Sequence, residues 1–316
     1  MRILAAFLIL VSIARSQTWR DGNLHVVLCG TGSPLQDPER ASACTAIVAG
    51  SEFVLIDVGP GSWRKVDLLQ LPLANLSAVL LTHFHSDHIG DLGEAITMSW
   101  VAGRTKALEV YGPPGVENVV RGFQAAYQLD AGYRTEHHSA EFMPALGAKA
   151  KGTAVEAGKT VFERNGLRIV AFAVSHAPVE PAYGYRIEYR GRKVVISGDT
   201  AKSAELEKQA AGADLLIHDA LSKEMIVGAA NMAESLGQQR RAKMARDIVL
   251  YHASPVEAAE TAAAAKVGTL VLSHIVPVLR NEGQQRLFLK GTAEAFAGKI
   301  VLARDGMRFD FEGAVP

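Results

Sequence analysis

Short apolar runs rich in β-branched residues alternate along the chain with Ala-rich stretches of helical period. The runs predict strands at Leu24–Cys29, Thr45–Val48, Phe53–Asp57, Ala78–Leu81, Leu108–Tyr111, Leu167–Val174, Ala182–Tyr189, Lys193–Ser197, Leu215–His218, Thr269–Ser273 and Ile300–Leu302. Helical patterns fall at Ile89–Ala102, Gly115–Leu129, Ser203–Ala210, Met225–Val249 and Pro255–Ala265. The last is the best signalled. Ser254 can cap it, Pro255 suits its first turn, and Glu257 completes a capping box with Ser254. Strand and helix in alternation read as an α/β fold. Residues 131–166 carry Gly and Ala with little periodicity, and are expected to form a loop or insertion near the site.

Composition adds limits rather than detail. The chain has 316 residues, 48% hydrophobic and 21% charged, which is ordinary for a globular protein. Lys+Arg and Asp+Glu stand at 33 each, so no net field draws in nucleic acid or an anionic membrane. Met1-Arg2, the apolar run Ile3 to Ile13 and the small residues of Ala14-Arg15-Ser16 read as a signal peptide over 1–16, cleaved before Gln17. That run is too short to span a bilayer, so stable membrane insertion is not expected. With no repeat and no linker, 17–316 reads as a single domain in the periplasm or outside the cell. Two cysteines, Cys29 and Cys44, are too few for a disulfide framework and read as buried free thiols, though a bridge is open to an exported chain.

Four side chains able to hold a metal fall within Thr82-His83-Phe84-His85-Ser86-Asp87-His88, directly after apolar Val79-Leu80-Leu81. In extended backbone, residues two apart point to the same side, so His83 and His85 can grip one ion. A turn at Ser86 brings Asp87 and His88 round to a second. A solvated polar loop has no reason to concentrate these residue types. His176 ends the run Ile169–Ser175, Asp199 follows Val194-Val195-Ile196-Ser197-Gly198, and His274 follows Leu270-Val271-Leu272-Ser273. One histidine past a buried strand is usually a satisfied core residue. Three ligand types in that same placement read as the rest of a metal site, because sites in open α/β sheets form outside strand ends.

The run Thr-His-x-His-x-Asp-His, the later His176, the Ser-Gly-Asp-Thr of 197–200 and the Ser-His of 273–274 resemble the metallo-β-lactamase superfamily in order and spacing. Cys29-Gly30-Thr31-Gly32-Ser33-Pro34, Asp57-Val58-Gly59-Pro60-Gly61 and Gly112-Pro113-Pro114-Gly115 look like its ribonuclease Z and type III arylsulfatase branch. The resemblance covers about Leu24 to His274. It implies an αβ/βα sandwich with a dimetal site at one edge and two Zn²⁺ per chain. His83, His85 and His176 would hold one ion, Asp87, His88 and His274 the other, and Asp199 would bridge them. Three protein nitrogens leave the first ion a position for solvent. Asp57 resembles the family aspartate that hydrogen-bonds a ligand histidine. His252-Ala253-Ser254-Pro255-x-Glu257 sits where the ribonuclease Z branch keeps a non-ligand catalytic histidine, and His218-Asp219-Ala220 looks like the element that positions it. This chain has Asp219 where the branch usually has Glu. The resemblance thus places His252, Asp87 and Asp219 in the catalytic set. His218 reads as structural, Arg40 and Arg134 as surface arginines, and His137-His138 as a surface pair in a loop.

The leading expectation is an exported zinc hydrolase of a small-molecule or anionic ester, a phosphodiester or an aryl sulfate. Nucleic acid is an unlikely partner on this reading. The charge balance is neutral, export separates the enzyme from tRNA precursors, and 131–166 lacks a long Gly- and basic-rich arm. The alternatives are a lactonase or β-lactamase, or a ribonuclease Z-like nuclease. β-Lactamases of this fold commonly place Cys at the position of Asp199. Its di-iron redox members usually carry a carboxylate where His85 stands. A metal module without catalysis would need neither an open coordination position nor His252. Homo-oligomerisation is left open.

Overall fold

The computed structural model describes residue 19 and residues 21–313, and the export segment expected over 1–16 lies outside the described residues. Fourteen strands are described. The first six are β1 (Leu24–Gly30), β2 (Cys44–Ala49), β3 (Glu52–Ile56), β4 (Leu76–Leu80), β5 (Leu108–Gly112) and β6 (Ala150–Ala154). Then follow β7 (Thr160–Arg164), β8 (Leu167–His176), β9 (Val179–Tyr189), β10 (Arg192–Ile196), β11 (Leu215–Leu221), β12 (Thr269–Val276), β13 (Lys299–Leu302) and β14 (Arg308–Phe311). They form two seven-stranded sheets, ordered β14-β1-β2-β3-β4-β5-β6 and β13-β12-β11-β10-β9-β8-β7. In each, antiparallel pairing gives way to parallel pairing partway across, at β3–β4 in the first and β10–β11 in the second.

The sheets pack face to face. Leu28, Ile47, Ile56 and Leu80 of the first meet Ile169, Tyr185, Ile196 and Ile217 of the second in one buried cluster. The outer face of the first sheet is covered by helices 62–68, 92–101 and 116–126, which bury Val66, Ile96 and Val120 on Leu55, Val79 and Val110. Helices 204–210, 255–265 and 282–288 cover the second with Leu206, Ala258, Ala262 and Phe288. Burial on both faces accounts for the continuous apolar runs. Each buried Leu, Ile, Val or Phe contributes about 1.5–3 kcal/mol by leaving water. The result is the αβ/βα sandwich.

Two expectations need correction. The helix expected over Met225–Val249 is two, Lys223–Ser235 and Gln239–Ile248, because Gly237 turns the chain with φ 71° between them. The stretch 131–166 is no bare loop. It holds most of the helix Gln128–His138 and the strands β6 and β7, whose alternation is too short and polar to read. His137-His138 therefore ends a helix. The capping box of Ser254 and Glu257 forms as expected, and Cys29 and Cys44 are buried and free. Among the described residues no helix is long and apolar enough to cross a membrane.

Candidate metal centre

Every expected donor lies at one edge of the sandwich: His83, His85, Asp87 and His88 just after β4, Asp199 just after β10, His176 as the last residue of β8 and His274 near the end of β12. After β4 the chain stays extended through His83 and His85, then winds into a single helical turn, Ser86–Ile89, which carries Asp87 and His88. His85 is exposed at the mouth while the others are buried. Register shifts lie at two of the distant histidines. The β11–β12 register passes from Asp219↔Ser273 to Ala220↔Ile275, so His274 is the extra residue, at φ 48°. The β8–β9 register also shifts between Val174 and His176, with the extra residue on β9, so that regular pairing ends before His176. A bulge redirects a side chain that regular pleating would send elsewhere.

The seven donors form two clusters, His83, His85, His176 and Asp199 in one and Asp87, His88 and His274 in the other, with Asp199 Oδ2 reaching into both, and His252 groups with Asp199 and His274. In the first, His85 Nδ1 stands 2.9 Å from His83 Nε2 and 3.5 Å from His176 Nε2, and Asp199 Oδ2 lies 3.9 Å from each of those Nε2 atoms. In the second, Asp87 Oδ2 is 3.1 Å from His274 Nε2 and 3.6 Å from His88 Nε2. Asp199 Oδ2 lies 3.4 and 3.3 Å from the same two nitrogens. Zinc bonds of about 2.0–2.1 Å in a tetrahedron give edges of about 3.3 Å, which these spacings bracket. His88 Nε2 is buried without a hydrogen-bond partner, as a nitrogen reserved for a metal would be. The residues fit the ion.

Outer contacts fix which nitrogen is bare. His83 Nδ1 lies 3.0 Å from Thr82 Oγ1, which donates to Asp57 Oδ2 at 2.8 Å. His88 Nδ1 donates to Asp57 Oδ2 at 2.8 Å, and His176 Nδ1 to the Tyr251 carbonyl at 3.1 Å. Such bonds orient each ring and leave Nε2 free. Thr82 heads the motif of 82–88 with no role that the sequence reveals, and the Tyr251 carbonyl is not legible there as a site element. Neither is Asp305, which accepts from Thr31 N at 3.0 Å and Ala41 N at 2.7 Å and ties down the loop beside the site. Two glycines allow close approach. A Cβ on Gly59 would stand 2.0 Å from the Asp87 carbonyl, and one on Gly30 1.7 Å from that of Ser42.

Burial pushes the imidazoles of His83, His85 and His176 below their usual range, toward the neutral form a metal requires. Burial acts the same way on His88 and His274. There the Asp199 carboxylate, helped by Asp57 at His88 and Asp87 at His274, wins and raises both. Burial also opposes the charge on Asp199, but His274 and His88 hold its carboxyl well below the usual carboxylate range. The centre is a buried carboxylate site that demands positive charge.

Beside the clusters, His252 also pairs with Asp219. Asp219 Oδ2 accepts from His252 Nδ1 at 2.9 Å, and Asp219 Oδ1 lies 3.1 Å from His218 Nδ1. The His252 ring stacks on His274 at 5.4 Å and packs edge-on against His176 at 5.2 Å. Arg134 pairs with Asp130 and Arg40 with Asp37 and the Ala303 carbonyl, so neither is brought into the cluster.

A family model described as a beta-lactamase superfamily domain matches residues 52–275. The Ribonuclease Z of Mycolicibacterium paratuberculosis is 39% identical over 286 residues, covering 89% of this chain and 96% of that protein. The Ribonuclease Z of Mycobacterium marinum is 39% identical over 285 residues, with the same coverages of 89% and 96%. Among solved structures, the Bacillus subtilis metallo-beta-lactamase fold protein YhfI aligns with TM-score 0.66 at 20% identity, over 91% of this chain and 99% of that one. Human tRNase Z, short form, aligns with TM-score 0.62 at 21% identity over 91% and 99%. The expectation that nucleic acid is an unlikely partner is overturned, because relatives matching over nearly their full length are named ribonucleases. Overall charge misled there: a balanced total says nothing of how charge is distributed.

Proposed function

The chain belongs to the metallo-β-lactamase superfamily and to its ribonuclease Z branch, and from that membership we propose that it is a metal-dependent phosphodiesterase acting on RNA. The observation that carries the reading is the match to ribonuclease Z over 96% of that protein. We assign His83, His85 and His176 to one zinc, Asp87, His88 and His274 to a second, and Asp199 to both. Bound there, the ions would supply Lewis acidity toward a phosphoryl oxygen and make solvent nucleophilic near neutral pH.

The chain's own residues do the rest. Asp219 is buried, which favours its neutral form, yet bonds from His218 and His252 hold its carboxyl below the usual range. As an anion it can only accept, so His252 Nδ1 donates to it and Nε2 is left for the substrate. In its doubly protonated form His252 can then give the Nε2 proton to the departing oxygen and return to the neutral ring, with Nδ1–H kept on Asp219. Turnover of bis-p-nitrophenyl phosphate and of a labelled tRNA precursor, beside p-nitrophenyl sulfate, a lactone and nitrocefin, tests the reading. The phosphodiester and the RNA should be cleaved. RNA left intact while the sulfate or the lactone turns over would overturn it.

We assign residues 1–16 to a signal peptide and a single mature domain from Gln17 to the periplasm or beyond, on the strength of the apolar run behind Met1-Arg2. Intact mass of the protein exported by a bacterial host should begin at Gln17. A full-length cytoplasmic product would refute the assignment.

A further inference from the structure

Between Asp219 and His252, the two members of the hydrogen-bonded pair, the chain makes a helical hairpin from Lys223–Ser235 and Gln239–Ile248. Its neck is closed by Leu221 N donating to the Ala253 carbonyl at 2.8 Å, and Ala253 N donating to the Thr200 carbonyl at 2.7 Å. Its base rests on a small apolar cluster of its own, Leu221, Ile226 and Val276 with Ala245, Ile248 and Val249. Immediately before His252 the Tyr251 ring lies 5.0 Å from the rings of both His176 and His252. The hairpin therefore stands at the rim of the metal centre.

Its charge is uneven. From Leu236 to Arg246 it holds Arg240, Arg241, Lys243 and Arg246 and no carboxylate, in a chain balanced at 33 of each sign. Arg246 is tied back to Glu234 and Asn231, and Lys243 to Asp247. Among the described residues Arg241 has only the neutral Gln238 amide oxygen as partner, and Arg240 has no ion pair. Both side chains are exposed. Arg240 and Arg241 lie in the first turn of the helix Gln239–Ile248, about 10–12 Å along its axis from the end that leads into His252. A small ester in the metal centre cannot span that distance. A strand of nucleic acid can.

We infer that the hairpin positions the substrate, with Arg240 and Arg241 holding phosphates of an RNA strand several nucleotides from the bond that is cut. The inference rests on the nuclease reading and deepens it. Phosphate contacts of this kind fix register without reading sequence. Exposed Met232, Leu236 and Met244 on the same hairpin would suit a lipid surface, but its place beside the centre and its free guanidinium groups favour the substrate's own backbone.

The test uses the metal-loaded full chain with Arg240→Ala/Arg241→Ala, and Arg240→Lys/Arg241→Lys as the conservative pair. Loss of two phosphate contacts should make the plot of log affinity for a tRNA precursor against log salt shallower by about 1.4–1.8, and raise KM about tenfold at low salt. Turnover of bis-p-nitrophenyl phosphate should stay unchanged, and the lysine pair should restore most of the RNA affinity. Unchanged RNA affinity and salt slope in the alanine pair, with RNA still cleaved, would overturn this inference and leave the nuclease reading standing. So would equal losses on RNA and on the small ester, or loss of binding to anionic phosphatidylserine vesicles with RNA binding intact. Wild-type protein that cleaves bis-p-nitrophenyl phosphate but no RNA would overturn the nuclease reading, and the hairpin's role with it.

Discussion

If wild-type protein carries the two ions proposed, Asp199→Ala is expected to lower metal content to below about one equivalent and turnover to below about 1% of wild type. The reason is geometric. Asp199 Oδ2 lies within 3.3–3.9 Å of donors in both clusters, so one truncation removes an edge from each. The electrostatic effect runs the same way, since His88 and His274 lose the carboxylate that most opposes their burial. Three donors without that anion hold a dication far less well. Elemental analysis after gel filtration reads the result, with circular dichroism to confirm that the fold survives. Full metal and full rate in a folded variant would mean that the site is misplaced.

His252→Ala should behave in the opposite way, keeping its metal and losing about 10²–10⁴-fold in turnover. The ring is held by Asp219 at 2.9 Å and stacked on His274, while the seven assigned metal donors complete their clusters without it. Its loss should therefore be felt where a proton is needed. Substrates with a poor leaving group should suffer the full effect, and esters of p-nitrophenol much less, because p-nitrophenolate departs without a proton. Asp219→Asn should give a milder form of the same pattern by freeing the ring to rotate. One imidazole nitrogen of His252 also lies within 4.8 Å of donor atoms of Asp199 and His274. If the variant loses metal, His252 is a ligand. If it keeps both metal and rate on a poor leaving group, the residue is structural.

Much of this architecture was legible because burial on both faces writes apolar runs that end abruptly at donors. Val79-Leu80-Leu81 before His83 and Val194-Val195-Ile196 before Asp199 are such endings. The capping box at Ser254 was legible for a local reason, since all its partners lie within four residues. What stayed hidden depends on long-range contact. Nothing near His274 in the sequence announces a bulge with φ 48°, because the bulge exists only against β11. Asp305 reads as an ordinary Asp-Gly turn, and its bonds to Thr31 and Ala41 cross more than 260 positions. Polar β6, with a half-buried or exposed side chain at every position, has no apolar run to betray it. The partner class was misjudged for a related reason. A summed charge says nothing of how the charges are distributed.

The donors are divided between the two halves of the sandwich. His83, His85, Asp87 and His88 follow β4 in the first sheet, while His176, Asp199 and His274 come from the second. The first cluster borrows His176 and Asp199 across the divide, and the second borrows Asp87 and His88 in return. Neither half supplies a whole cluster by itself. Were ions to fill both clusters, the free energy of metal capture would also be free energy of joining, and each ion would act as a rivet driven only once the plates are aligned. Loading would then be an inspection of finished assembly, and a chain whose halves had not met would stay unriveted.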